Sequence, residues 1–244
     1  MNDIKVIISL TSHDLRLKND TTTKVIFQIL RGTFKDLKVC LTLFKDDVKL
    51  IHPNLQQLID IGLVELIVAD KDLGPHLKYF YAMQKYRNLP VITIDDDIIY
   101  PTEMIENMVN AYNTHKCIIA RRCYAITEGL DYYTWLNNGC SYSEEPTHKL
   151  FATGIGGILY PPDCLKISDA NIDEILRIKY DDDFYLKALE VRHDIKIATY
   201  KMNRLYVKNL DDAYTQSCAR WNENMNRANA GIALFINEFK KCLE

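Results

Sequence analysis

The 244-residue chain has no run approaching the roughly 20 consecutive apolar residues that a membrane-crossing helix requires, so no spanning segment is expected. Its seven cysteines, at positions 40, 117, 123, 140, 164, 218 and 242, are odd in number and include no C-x-x-C pair. Neither a structural zinc site nor a disulfide framework is indicated, and reduced thiols acting as small core residues are expected. Neither sign of charge prevails: 30 Lys and Arg stand against 33 Asp and Glu, a formal net charge of −3. Overall electrostatics therefore give no reason to expect a nucleic-acid partner. The opening, Met1-Asn2-Asp3-Ile4-Lys5, lacks the basic-then-apolar stretch of an export signal. The expected compartment is the cytoplasm, where the inner face of the membrane remains open to peripheral association. Internal repeats, low-complexity tracts and clear linkers are also lacking.

What is present is a globular composition, 48% hydrophobic and 26% charged, over a length suited to one α/β domain spanning 1–244, with a C-terminal helical extension over about 205–244. Apolar, β-rich runs at Ile4–Leu10, Leu37–Phe44, Val64–Val68 and Val91–Ile94 read as buried strands. They alternate with helical spacing at Thr21–Leu30, Pro53–Ile61 and His76–Tyr86, the signature of a mainly parallel sheet flanked by helices. Further strands are expected at Cys117–Arg121, Ile158–Tyr160 and Ile195–Tyr200, with a helix over Asp182–Val191. Thr127–Leu150 shows no period and reads as a loop, a candidate substrate flap containing Tyr132, Tyr133 and Trp135. At the end of the chain, Ile232, Phe235, Ile236, Phe239 and Leu243 repeat at helical spacing, which marks a packing stripe.

The segment Val91-Ile92-Thr93-Ile94-Asp95-Asp96-Asp97 carries the strongest chemical signal, because a buried strand ends in three carboxylates. Such carboxylates repel one another and are costly to desolvate unless a cation compensates them. Oxygen ligands suit Mg²⁺ or Mn²⁺, and these ions keep positions open for phosphate oxygens. Alternation along the strand would point Asp95 and Asp97 one way and Asp96 the other. A solvated turn capping the next helix is the plain structural alternative.

Ile94–Pro101 resembles the DxD segment of bacterial GT-A glycosyltransferases that assemble capsules, O-antigens and related glycans. The likeness continues in Ser9-Leu10-Thr11-Ser12 with Arg16, in Lys78-Tyr79 before the acidic strand, in Thr153-Gly154-Ile155-Gly156-Gly157-Ile158-Leu159-Tyr160-Pro161-Pro162, and in Asp182-Asp183-Phe184-Tyr185-Leu186-Lys187. It covers roughly residues 4–200. The resemblance implies a GT-A, Rossmann-like fold and a metal-dependent hexosyltransferase of surface-polysaccharide assembly. Its donor would be a nucleotide-diphosphate sugar, with UDP-galactofuranose one candidate, and its acceptor a hydroxyl of a glycan or lipid-linked glycan. Inversion of configuration is favoured.

Within that frame, Asp97 and Asp95 are the expected metal ligands. Thr11, Arg16, Lys78, Asp95 and Asp96 are expected at the donor, where Arg16 offers a donor fork to phosphate or base and Lys78 offsets diphosphate charge. Trp135, Gly156 and Gly157 are expected at the acceptor, since glycine lets backbone approach a ligand closely. By register Asp183 matches the base of similar inverting enzymes and Asp182 its neighbour, although either could simply favour the N-terminus of the following helix. Asn222, Asn224, Asn226 and Asn229 could close over the donor. Two other readings are weighed: a sugar-nucleotide nucleotidyltransferase, whose usual glycine-rich opening loop is missing, and a noncatalytic nucleotide-sugar-binding scaffold.

Overall fold

The apolar runs of the sequence become strands in the computed structural model, which describes residues 6–200, 208–210 and 228–244. The first half comprises β1 (Val6–Thr11), α1 (Asp14–Lys18), α2 (Thr21–Leu30), β2 (Leu37–Phe44), α3 (Pro53–Asp60), β3 (Val64–Ala69), α4 (Phe80–Lys85) and β4 (Val91–Thr93). Then follow β5 (Ile98–Ile99), α5 (Met104–His115), β6 (Ile118–Ala120), β7 (Cys123–Ala125), α6 (Tyr132–Asn137), β8 (Leu150–Ala152) and β9 (Ile158–Tyr160). The last described elements are α7 (Ile172–Arg177), α8 (Asp182–Arg192), β10 (Ile197–Ala198), β11 (Lys208–Asn209) and α9 (Ile236–Lys241).

Seven strands form one sheet in the order β10-β6-β9-β4-β1-β2-β3. All neighbours are parallel except β9, which runs antiparallel to both β4 and β6. Because a strand alternates its side chains, the sheet divides its apolar residues between two cores. Ile7, Cys40, Val91, Ile118, Tyr160 and Ile197 enter the core shared with α4, α7, α8 and the C-terminal helix. Ile8, Leu41, Ile92, Ile119, Leu159 and Ala198 enter the core shared with α2, α3 and α5. Burial on both faces explains why these strands read as unbroken apolar runs. The C-terminal stripe behaves as expected, with Ile232, Phe235 and Phe239 buried and Phe235 packed 5.9 Å, ring to ring, from Tyr185 of α8.

Three local expectations need correction. The helix read over His76–Tyr86 is a 3₁₀ turn, Gly74–Lys78, followed by α4, and the break at Tyr79 (φ −124°) turns Lys78 inward. Thr127–Leu150 is not a plain loop, because it holds α6, whose N-terminus is capped by the Asp131 carboxylate accepting the Thr134 N–H at 2.9 Å. The helix α5 was not read from the sequence at all.

Position follows from topology. The acidic run leaves the carboxyl end of β4, with parallel β1 on one side and antiparallel β9 on the other, a place where ligand crevices form in α/β sheets. The turn entering β9 and the N-terminus of α8 arrive at the same place.

Candidate active site

Because β4 stops at Thr93, Asp95-Asp96-Asp97 lies in a turn and strand alternation no longer sets its directions. Asp96 and Asp97 share one cation: Arg16 places Nη1 2.7 Å from Asp96 Oδ1 and Nη2 2.5 Å from Asp97 Oδ2. Asp95 takes a different partner, Lys78 Nζ, at 2.9 Å. The expected pairing of Asp95 with Asp97 is thus replaced by a pairing of Asp96 with Asp97. Arg16 comes from α1, a short helix whose first residue, Asp14 (φ 40°), and the residue two past its end, Asp20 (φ 61°), are non-glycine residues with positive φ.

Lys78 reaches further. The same Nζ lies 3.0 Å from Asp182 Oδ2 at the start of α8, so one buried ammonium joins the loop after β4 to that helix. Burial works against its charge, but Asp182 and Asp95 outweigh that effect and hold Lys78 well above its ordinary range. Burial likewise opposes the charged form of Asp182, yet Lys78 keeps its carboxyl below the ordinary range. His76 itself is fully buried, contacts the Tyr79 hydroxyl at 2.6 Å, and is lowered to about 4 by burial. It is neutral packing beneath the site.

Asp183 differs from its neighbour. Its Oδ1 accepts the Gly154 N–H at 3.0 Å, and part of its surface stays open to solvent. Close packing and then the adjacent Asp182 push its carboxyl well above the ordinary range. Asp183 thus holds a proton more tightly than Asp182, which Lys78 keeps ionised, so the two neighbouring acids are chemically distinct.

Gly154, not Gly156 or Gly157, faces this cluster. A Cβ built on Gly154 would lie 2.9 Å from Lys78 Nζ, 3.3 Å from Asp183 Oδ1 and 3.6 Å from Asp95 Oδ1. At Gly156 it would strike the Arg122 Cβ at 2.6 Å, and at Gly157, where φ is +82°, it would meet Met104 sulfur at 3.3 Å. Those two glycines permit packing and a turn, Gly156 against Arg122 and Gly157 against Met104. Sequence shows where glycines stand but not what each faces.

Other expected residues are placed elsewhere. Trp135 is fully buried, its Nε1 donates to Thr127 Oγ1 at 3.2 Å, and its ring packs between Phe151 and Phe239. It fastens this segment to the core. The Thr11 hydroxyl donates to the Thr42 carbonyl at 2.8 Å, on β2, the neighbour of β1 on the side opposite β4. Asn229 binds Asp131 at 2.9 Å and accepts the Tyr132 N–H at 3.1 Å, so it ties α6 to the C-terminal helix. Asn222, Asn224 and Asn226 lie outside the described residues.

Acids outnumber cations in this cluster. Five carboxylates, Asp95, Asp96, Asp97, Asp182 and Asp183, face two cations, Arg16 and Lys78. Asp96 Oδ2 is buried without a hydrogen-bond partner. Asp97 is pushed up to about 7, by burial first and by Asp95 and Asp96 against the pull of Arg16. Among the described residues no three acids, histidines or cysteines are grouped closely enough to cage an ion. Surplus carboxylate oxygens without a complete cage suit a cation held by one or two acids together with a ligand's phosphates.

No family model and no curated protein matches the sequence. Solved structures match by shape. Residues 1–349 of TarS from S. aureus, in complex with UDP, align with TM-score 0.56 at 10% identity, covering 84% of this chain and 60% of that one. A second crystal structure of S. aureus TarS aligns with TM-score 0.55 at 12% identity, covering 96% and 43%. The fold is GT-A. This chain spans less than two thirds of the length of either TarS structure. The same fold relates it to a UDP-glucose pyrophosphorylase from Acinetobacter baumanii, with TM-score 0.52 at 9% identity over 96% of this chain and 99% of that one.

Proposed function

We propose that the chain is a metal-dependent glycosyltransferase that moves a sugar from a nucleotide-diphosphate donor, UDP-linked in the first instance, to an acceptor hydroxyl with inversion. The observation that carries this reading is the joining of the acidic turn after β4 to the head of α8 through Lys78, with Asp183 standing beside that link on the Gly154 amide. Transfer to a hydroxyl needs a place for a charged leaving group and, next to it, a carboxyl able to take a proton. The two regions supply these in adjacent positions.

Asp97 would hold the cation, with Asp95 close by, and the cation would supply charge neutralisation to the departing diphosphate. Arg16, anchored on Asp96 and Asp97, lies where its fork can turn to phosphate oxygens. Lys78 acts differently from the sequence expectation. Already engaged by two carboxylates, it sets the distance between the acidic turn and α8, and its charge reaches a diphosphate only through that cluster. Asp183 takes the proton of the acceptor hydroxyl, its orientation fixed by the Gly154 N–H.

A surface-glycan acceptor, and work at the inner face of the cytoplasmic membrane, belong to the same proposal. They are supported by the GT-A fold and the motif order; among the described residues no helix is long and apolar enough to cross a membrane. The nucleotidyltransferase reading shares the fold but would want a glycine-rich loop after the first strand, where Leu10-Thr11-Ser12-His13 stands.

A thermal-shift panel of nucleoside diphosphates and nucleotide sugars, with and without Mn²⁺, tests the proposal, because a ligand selective for the folded state raises the melting temperature. The expected result is stabilisation by one nucleotide family that depends on the metal and is lost in Asp97→Asn. No metal-dependent stabilisation by any member would contradict it.

A further inference from the structure

Arg122 lies between β6 and β7, and its backbone is built into the turn that carries the site. Its carbonyl accepts the Thr153 N–H at 3.1 Å, and Gly156 lies so close that a Cβ there would be 2.6 Å from the Arg122 Cβ. One residue along the same turn, the Gly154 N–H binds Asp183. Arg122 and Asp183 are thus attached to neighbouring points of one rigid segment.

The side chain of Arg122 is half-buried, and its hydrogen-bond partners among the described residues are neutral. Nη1 donates to Thr153 Oγ1 at 3.2 Å, Nη2 donates to the Tyr124 hydroxyl, and the guanidinium lies over the Tyr124 ring at 4.9 Å from its centroid. Arg16 and Arg192, by contrast, each hold two carboxylates. Among the described residues Arg122 forms no ion pair. A guanidinium fixed in plane by an aromatic ring keeps its remaining N–H groups directed, the geometry that suits a carboxylate or phosphate.

Tyr132 connects this group to the reacting end. Its ring stands 6.2 Å from Tyr124 and 5.5 Å from Phe184, the residue after Asp183. The cluster around Asp183 is rich in carboxylates and repels an approaching anion. A cation at Arg122, attached to the same turn that binds Asp183, offsets that repulsion for a ligand entering there.

We propose that Arg122, together with the hydroxyls of Thr153 and Tyr124, recognises a negatively charged oxygen group, a carboxylate or a phosphate, carried by the acceptor. The identification of that ligand as an acceptor rests on the transferase reading; the anion-binding role does not. Acidic sugars and phosphate-bearing polyols share the required chemistry, and the choice of probe separates them.

The test is a calorimetric titration of the purified protein with two pairs of probes: methyl β-glucuronide against methyl β-glucoside, and glycerol 3-phosphate against glycerol. At least one anion should bind roughly tenfold more tightly than its neutral twin. Arg122→Gln should erase that preference while melting near the wild-type temperature, and Arg122→Lys should restore part of it. Preference for the glucuronide assigns a carboxylate, and preference for glycerol phosphate assigns a phosphate. Equal affinity within both pairs, no binding of either anion at millimolar concentration, or a preference that survives Arg122→Gln overturns the proposal. Because the readout is binding, anion binding without any sugar transfer would count against the transferase reading and leave Arg122 in place as an anion site.

Discussion

The Gly154 amide donates to Asp183 Oδ1 at 3.0 Å, and this one hydrogen bond fixes the orientation of the candidate base. The contact exists because position 154 has no side chain: a Cβ there would stand 2.9 Å from Lys78 Nζ and 3.3 Å from the same Asp183 oxygen. Gly154→Ala should therefore displace both groups by a few tenths of an ångström without touching the core. Turnover is expected to fall about 10- to 100-fold, since small misplacements at a reacting centre are costly. Steady-state kinetics beside a melting curve checks this; unchanged kcat would mean that the contact does not position Asp183.

Lys78 holds Asp95 at 2.9 Å and Asp182 at 3.0 Å while itself 7% exposed. Removing one partner of a buried ion pair leaves uncompensated charge and costs about 3–5 kcal/mol. Lys78→Met should lower stability by that order in urea unfolding. A loss of nucleotide affinity at wild-type stability would instead return Lys78 to the role of a simple phosphate ligand.

Much of this was legible before the structure. Leu37–Phe44 and Ile158–Tyr160 are strands with the bounds read from sequence, and Thr21–Leu30 is the helix read, because doubly buried strands and amphipathic helices write their periods directly. Met104–His115 was missed because Glu106, Asn107, Asn110, Asn113 and Thr114 crowd a buried stripe of Met104, Ile105, Met108 and Val109. At the site, an apolar strand running into three acids was enough to single out Asp95, Asp96 and Asp97. Which cation each acid holds was not legible: Arg16 and Asp96 are 80 positions apart, and no local pattern encodes that meeting. The full burial of Trp135 was not legible, because a loop aromatic looks the same in sequence whether it faces a ligand or anchors the loop.

For Trp135, truncation separates those two roles. Its full burial against Phe151 and Phe239 predicts that Trp135→Ala costs about 3–5 kcal/mol of stability. Trp135→Phe should keep the acceptor KM of the wild type. A raised KM at unchanged stability would place the ring at the acceptor after all.

Glu190 forms a buried pair with Lys187, N to O 3.3 Å, both side chains 2% exposed. Burial raises its carboxyl to about 7, with Lys187 opposing. A carboxyl whose folded pKa exceeds its unfolded value binds protons more tightly in the folded state, so it favours folding below the unfolded pKa and loses that advantage as pH rises towards the folded one. Stability should fall by roughly 1–3 kcal/mol between about pH 4.5 and pH 7. Glu190→Gln should flatten that slope in urea titrations at stepped pH; an unchanged slope would show that the pair is ionised throughout.

The central claim, that Asp183 beside the acidic turn accepts the proton of an acceptor hydroxyl, is tested most directly by the rate of sugar transfer from the stabilising nucleotide sugar in wild type and Asp183→Asn. The variant should bind donor and metal as the wild type does, melt near the same temperature, and transfer about 10²–10⁴-fold more slowly, the usual cost of losing a general base. Near-normal transfer by Asp183→Asn with a lowered melting temperature would make the residue part of the helix start and contradict the account.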